Sequence, residues 1–174
     1  MALSKSTSKT TTRLNAGLKL GLLALGTALL AGCAGGLSGV KIAADSAVHG
    51  ASIQVDVVGV TQANSGMIEG APISKYFQSG SAVRQGAVAK SFRFGGSQPT
   101  IQLVDKTDPI WAHWKAEHVT SLVVLADVPG VFEDLPGDAD PRRKILPLTG
   151  KTAPKGVAEL EITQGGLRLV PPAH

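Results

Sequence analysis

Three groups of side chains in this sequence are of types that do chemistry: a thiol, two histidines beside a glutamate, and a run of carboxylates. The thiol is Cys33, the only cysteine in the chain, at the end of Leu29-Leu30-Ala31-Gly32-Cys33. Lys5, Lys9, Arg13 and Lys19 precede it with no acidic residue among them, and the apolar run Leu20 to Ala31 follows. A basic start, a short apolar stretch and small residues where a peptidase must reach the backbone make a secretory signal. The run is too short to span a bilayer, which takes about 20 residues. His113 and Glu117 lie four residues apart with His118 adjacent. A metal site needs three or more converging ligands, and neither an HExxH motif nor a cysteine pair is present. These read as surface residues, and no metal is expected. Glu133, Asp134, Asp138 and Asp140 crowd one segment, but their spacing fits no EF-hand loop, so a solvated acidic loop is favoured over a calcium site. There is no G-x-S-x-G elbow and no P-loop. A Ser-His-Asp hydrolase would have to take His113 or His118 as its base, and no neighbouring residue suggests that role. The residues point to a binding or scaffolding protein, with no enzyme activity and no cofactor.

Charge follows the same division. The chain holds 17 Lys and Arg against 13 Asp and Glu, and the four basic residues before Cys33 account for the excess. Beyond the signal the charges balance. The basic pI is thus a feature of export and gives no reason to expect nucleic acid as a partner.

The elements that must position these groups divide the chain into a signal over 1–32, a tether over 33–51 and a folded domain over 52–174. The tether reading rests on Gly35, Gly36 and Gly39 and on small, weakly apolar residues as far as His49, a solvated side chain. Ile53, Val55 and Val57 alternate with Gln54 and Asp56, the period of a strand with one wet face. The alternation breaks at Val57-Val58 before Gly59, where a bulge is expected. Thr61 to Ala71 reads as a long loop. Met67 and Ile68 in its middle either anchor a partner or tuck back onto the sheet.

A short helical turn is expected over Pro72 to Phe77, a strand through Val88, Phe92 and Phe94, and another from Thr100 to Val104. Asp108-Pro109 starts a helix, Asp108 capping it and Pro109 needing no amide partner. Trp111 and Trp114 share a face of that helix. Leu122 to Ala126 is apolar on both parities, as in a central strand covered on both sides. Arg142-Arg143-Lys144 leads a strand that Pro147 marks as an edge. These cations could meet the acidic loop or lipid phosphates, but guarding an edge against unwanted pairing is the favoured account. Ala158, Leu160 and Ile162 face one way in a strand joined by Gly165-Gly166 to the last one, with Ile162 opposite Leu169. About seven short strands with one or two short helices packed outside imply an all-β, immunoglobulin-like sandwich.

Leu30-Ala31-Gly32-Cys33 resembles the lipobox of bacterial lipoproteins. That resemblance implies cleavage between Gly32 and Cys33, a diacylglycerol on the Cys33 thiol and an acylated new amino terminus, palmitate being a suitable label. Two or more acyl chains hold a protein firmly to membrane lipid where one does not. Ala34, in place of an aspartate, implies the outer membrane. Ser121-Leu-Val-Val-Leu-Ala-Asp127, Arg142-Arg-Lys-Ile-Leu-Pro-Leu148, Glu159-Leu-Glu-Ile162 and Gly166-Leu-Arg-Leu-Val170 resemble the C-terminal half of the small lipoprotein of the type VI secretion membrane complex. The resemblance implies a transthyretin-like β-sandwich on the periplasmic face of the outer membrane. It would bind the periplasmic domain of an inner-membrane partner through the loop after the first strand, here Thr61 to Ala71 with Met67 and Ile68. The helix from Pro109 to Glu117 and the acidic 128–141 insertion depart from that pattern. A general envelope-binding lipoprotein without a secretion role is the alternative.

Overall fold

The computed structural model describes residues 36–171. Gly32, Cys33 and the signal expected over 1–32 lie outside the described residues. Within them are β1 (Leu37–Ala44), β2 (Ile53–Val60), β3 (Ala89–Phe94), β4 (Ile101–Asp105), β5 (Ser121–Ala126), β6 (Arg143–Pro147), β7 (Gly156–Thr163) and β8 (Gly166–Val170). Between β2 and β3 come α1 (Ser65–Glu69), α2 (Ile73–Tyr76) and α3 (Ala82–Gln85), and between β4 and β5 comes α4 (Pro109–Ala116). The strands form two four-stranded sheets, ordered β4-β1-β7-β8 and β3-β2-β5-β6. Every pairing is antiparallel except that of β1 with β7.

The two sheets pack face to face as a β-sandwich. Val40, Ile42, Leu160 and Ile162 from one sheet meet Val55, Val57, Leu122 and Val124 from the other, all buried. The period-2 alternation of side chains across a strand produces this, since residues i and i+2 share a face. Trp114 of α4 closes one end of the core, its indole N–H donating to the Val88 carbonyl at 3.0 Å. Gly59 makes room for that indole: a Cβ there would come within 2.3 Å of the ring. The glycine expected to mark a bulge therefore serves close packing, and β2 pairs with β5 through Val58, Gly59 and Val60 without a shift.

Three other expectations are corrected. The tether over 33–51 does not extend through the described residues, because Leu37–Ala44 is β1, an inner strand with Leu37, Val40 and Ile42 buried. Its glycines and small residues disguise a strand whose hydrogen bonds come from β4 and β7, both distant in sequence. The register shift expected in β2 occurs here instead, between Leu37 and Gly39 against β7. The wet face of β2 is covered as well: Asp56 is buried, and Val58 and Val60 lie beneath the helices. Finally, the β7–β8 turn is Gln164-Gly165, which places Ile162 opposite Leu167 rather than Leu169. A two-residue slip preserves side-chain parity, so the faces came out as expected while the register did not.

Candidate partner-binding site

The connection from β2 to β3 lies across the outer face of the β3-β2-β5-β6 sheet. At its start the Asn64 side-chain oxygen accepts from the Thr61 amide at 2.8 Å and the Thr61 hydroxyl at 3.2 Å, which turns the chain into α1. Ile68, Ile73 and Tyr76 bury against Val58, Val60, Val123 and Leu125, a second apolar cluster separate from the inter-sheet core. Neighbouring residues of a helix project about 100° apart. Ile68 is 0% exposed while Met67 beside it is 50% exposed. The segment expected as a long loop thus holds the helix Ser65–Glu69 at its centre, and its apolar pair divides. Ile68 packs into the apolar cluster, and Met67 faces outward.

Two arginine clusters hold this covering layer in place. Asp56 projects from β2 and is 1% exposed. Arg84 of α3 forks onto it, Nε to Oδ2 at 2.8 Å and a terminal nitrogen to Oδ1 at 3.2 Å, and reaches the Gln54 side-chain oxygen at 3.0 Å. The Tyr76 hydroxyl donates to the same Asp56 carboxylate at 3.1 Å. The hydrogen bond to Asp56 raises the Arg84 pKa above its ordinary value. Burial first, then the Asp56 charge, push the Tyr76 hydroxyl far above the usual phenol range. The planar guanidinium also lies over the Phe77 ring, 5.0 Å from its centroid.

The second cluster begins β6. Arg143 is fully buried and donates to the carbonyls of Glu69, Ala71, Leu135 and Gly137, joining the end of α1 to the acidic loop. Burial lowers its pKa from the ordinary arginine value. Arg142 binds both oxygens of buried Asp140, at 3.0 and 2.8 Å, and one oxygen of Asp134 at 2.7 Å. Asp134 also accepts from the Ser74 amide at 3.0 Å and from the Ser74 hydroxyl. Burial works to raise the Asp134 carboxyl, but the bonds from Ser74 and Arg142 prevail and hold it at about 2. The favoured edge-guard account of Arg142-Arg143-Lys144 is corrected for both arginines. Arg142 meets the acidic loop, and Arg143 is a buried bolt. The loop itself is correspondingly structural, with Asp138 accepting from the Ile145 amide at 2.7 Å.

The histidines stand apart from these clusters. His113 is exposed on α4, and exposed His118 adopts a left-handed backbone with φ 56°. His118 N–H bonds to Lys115 O at 3.2 Å and Val119 N–H to Trp114 O at 3.0 Å, the pairing that ends a helix in a Schellman motif. His118 is a helix stop, and among the described residues neither histidine meets a carboxylate and a nucleophile. Asp108 caps α4 as its sequence implied, accepting from Ile110 N–H at 3.1 Å. Asp56, Arg84 and Arg143 were missed by sequence reasoning. The available signal was parity: Arg143 shares a face with Ile145, and Asp56 with Val58 and Val60.

No family model and no curated protein matches the chain. The fold matches a chain in a solved type VI membrane complex with TM-score 0.50 and 15% identity, covering 77% of this chain and 97% of that one. The membrane-bound type VI secretion component Lip of Serratia marcescens aligns with TM-score 0.49 and 15% identity over 79% of this chain and 99% of that one. The type VI lipoprotein TssJ1 from Pseudomonas aeruginosa aligns with TM-score 0.42 and 10% identity over 79% of this chain and 97% of that one. At such identity the likeness is one of fold, the β-sandwich.

Proposed function

We propose that this protein is an outer-membrane lipoprotein that acts as a scaffold in a type VI secretion membrane complex. Its lipid sits on Cys33 after cleavage at Gly32-Cys33, its body hangs on the periplasmic side, and it takes no nucleic acid and performs no catalysis. The observation that carries this reading is the conjunction of Leu30-Ala31-Gly32-Cys33 with a sandwich whose fold is that of a chain in a type VI membrane complex. The partner is the periplasmic domain of an inner-membrane protein. Met67 is its contact: exposed and apolar, it stands on a turn that Ile68 and Arg143 hold rigid. Rigid presentation lowers the ordering cost of binding.

Labelling with palmitate followed by affinity capture from envelopes tests both halves. Label should enter the wild type and be absent from Cys33→Ser. Met67→Glu should cut recovery of the secretion partner by about tenfold or more while thermal unfolding is unchanged, as a central apolar anchor does. Ile68→Ala should instead destabilise the domain by about 2–5 kcal/mol, as expected when a buried side chain is truncated. Capture of other envelope proteins with no secretion component would support a general envelope scaffold in its place.

A further inference from the structure

The strands run so that one end of the sandwich gathers the start of β1, the segment from β4 to β5, and the loop from β6 to β7. Leu37 N–H donates to Leu148 O at 3.1 Å, and Gly156 N–H donates to Gly36 O at 3.3 Å. Gly36 therefore sits directly against this end. Cys33 is three residues earlier, and three residues reach at most about 11 Å even when fully extended. If Cys33 carries lipid, as proposed above, the membrane surface must lie close to this end of the body.

The chemistry exposed there suits such a neighbour. Trp111, Lys115, His118 and Leu148 line one open cleft. Trp111 is only half-buried, and Lys106, Lys115, Lys151 and Lys155 are exposed. Of the carboxylates on these segments, Asp108 is paired with Lys90 at 2.7 Å and caps α4. Asp105 accepts from the amide and hydroxyl of Thr107, and Glu117 is exposed. At the opposite end Arg142 pairs with Asp134 and Asp140, and Asp127, Glu133 and Asp138 add further carboxylates. Tryptophan favours the headgroup level of a bilayer, where its ring is half apolar and its N–H is wet. Lysines near an anionic surface are attracted to it only within about a Debye length, roughly 8 Å at physiological salt. The short reach from Cys33 keeps this end within that range.

We infer that the end bearing Trp111, Lys106, Lys115, Lys151 and Lys155 is a membrane-contact face that rests on anionic phospholipid headgroups, fixing the orientation of the body relative to its anchor. The test uses the lipidated protein in vesicles of phosphatidylethanolamine and phosphatidylglycerol, a share of whose lipids is brominated close to the headgroup. Bromine quenches tryptophan at short range, and Trp111 and Trp114 are the two tryptophans present. Emission should fall by about twofold with brominated lipid, as for a ring at the interface. The fall should vanish in Trp111→Phe and shrink in a Lys115→Glu, Lys151→Glu, Lys155→Glu triple variant. Buried Trp114 reports in both variants that the fold is intact. Palmitate-labelled protein that shows no quenching, quenching that survives Trp111→Phe, or quenching indifferent to the charge reversals overturns the inference and leaves the lipoprotein reading standing. Protein that takes up no palmitate overturns both.

Discussion

On the outer face of the β3-β2-β5-β6 sheet, Val58, Val60, Val123 and Leu125 are sealed beneath α1, α2 and α3. On the outer face of the β4-β1-β7-β8 sheet, Ile101, Leu103 and Val157 are exposed, and among the described residues no helix packs over them. Both faces carry ion pairs. On the covered face, Asp56–Arg84 and Asp140–Arg142 each involve an almost fully buried carboxylate. On the open face, Lys41 meets Glu159 at 3.3 Å across β1 and β7 with both side chains well exposed. The same charges thus play different parts. Where water is excluded, a broken pair leaves a charge that nothing else solvates; where water has access, it replaces the lost partner.

The largest expected effect follows from removing the bolt of the covered face. Arg143→Met keeps length and apolar bulk but leaves the carbonyls of Glu69, Ala71 and Leu135 without the guanidinium that donates to them. A loss of about 3 kcal/mol in urea unfolding is expected, since each buried carbonyl left unsatisfied costs about 1–3 kcal/mol. Ile101→Ala on the open face should change stability by no more than about 0.5 kcal/mol, as for an ordinary surface substitution. Equal losses would remove the distinction between the faces.

The contrast also explains how much of the molecule the sequence conveyed. Strands with both parities apolar, such as Leu122 to Ala126, and strands with clean alternation, such as Ala158 to Ile162, were legible because burial acts on each residue locally. The capped start of α4 was legible for the same reason. β1 was not, since its place between β4 and β7 depends on residues far away, and Gly39 with its small neighbours imitates a linker. Nor were Asp56, Arg84 and Arg143. A lone charge in a strand reads as solvent-facing unless the element that covers it is known, and of the three short helices that form it only the turn over Pro72 to Phe77 was expected. At the candidate site, Met67 and Ile68 were found together but could not be separated, because the helical phase of a five-residue element is invisible without its packing.

A smaller effect appears in acid. Asp134 is held at about 2, below the ordinary unfolded value of about 3.9. A carboxyl depressed in the folded state contributes stability that is complete above its unfolded pKa and is lost as pH falls through its folded pKa. The link from Asp134 to Ser74 and Arg142 should therefore weaken between about pH 4 and pH 2. Asp140, also lowered because bonds from Arg142 outweigh burial, should fade in the same direction. Asp134→Asn should flatten part of this acid limb, measured as thermal midpoint against pH, while leaving stability above about pH 5 lower and nearly constant. An acid limb identical in wild type and Asp134→Asn would show that the loop-to-α2 strap contributes nothing.

The smallest effect is the most exacting test, because it sets two pairs of the same chemistry against each other. In a double-mutant cycle, Lys41→Ala with Glu159→Ala should give a coupling of about 0.2–1 kcal/mol, the range of exposed pairs, and it should fade as salt is raised. The cycle of Asp56→Ala with Arg84→Ala should give about 2 kcal/mol or more and resist salt, since its carboxylate is fully desolvated and accepts three hydrogen bonds. The pairs differ in geometry too, one single contact against a fork, so Arg84→Lys supplies the control. Lysine keeps the charge and loses the fork. A coupling that survives in Arg84→Lys assigns the difference between the faces to burial; one that collapses to the level of Lys41–Glu159 assigns it to the shape of the guanidinium.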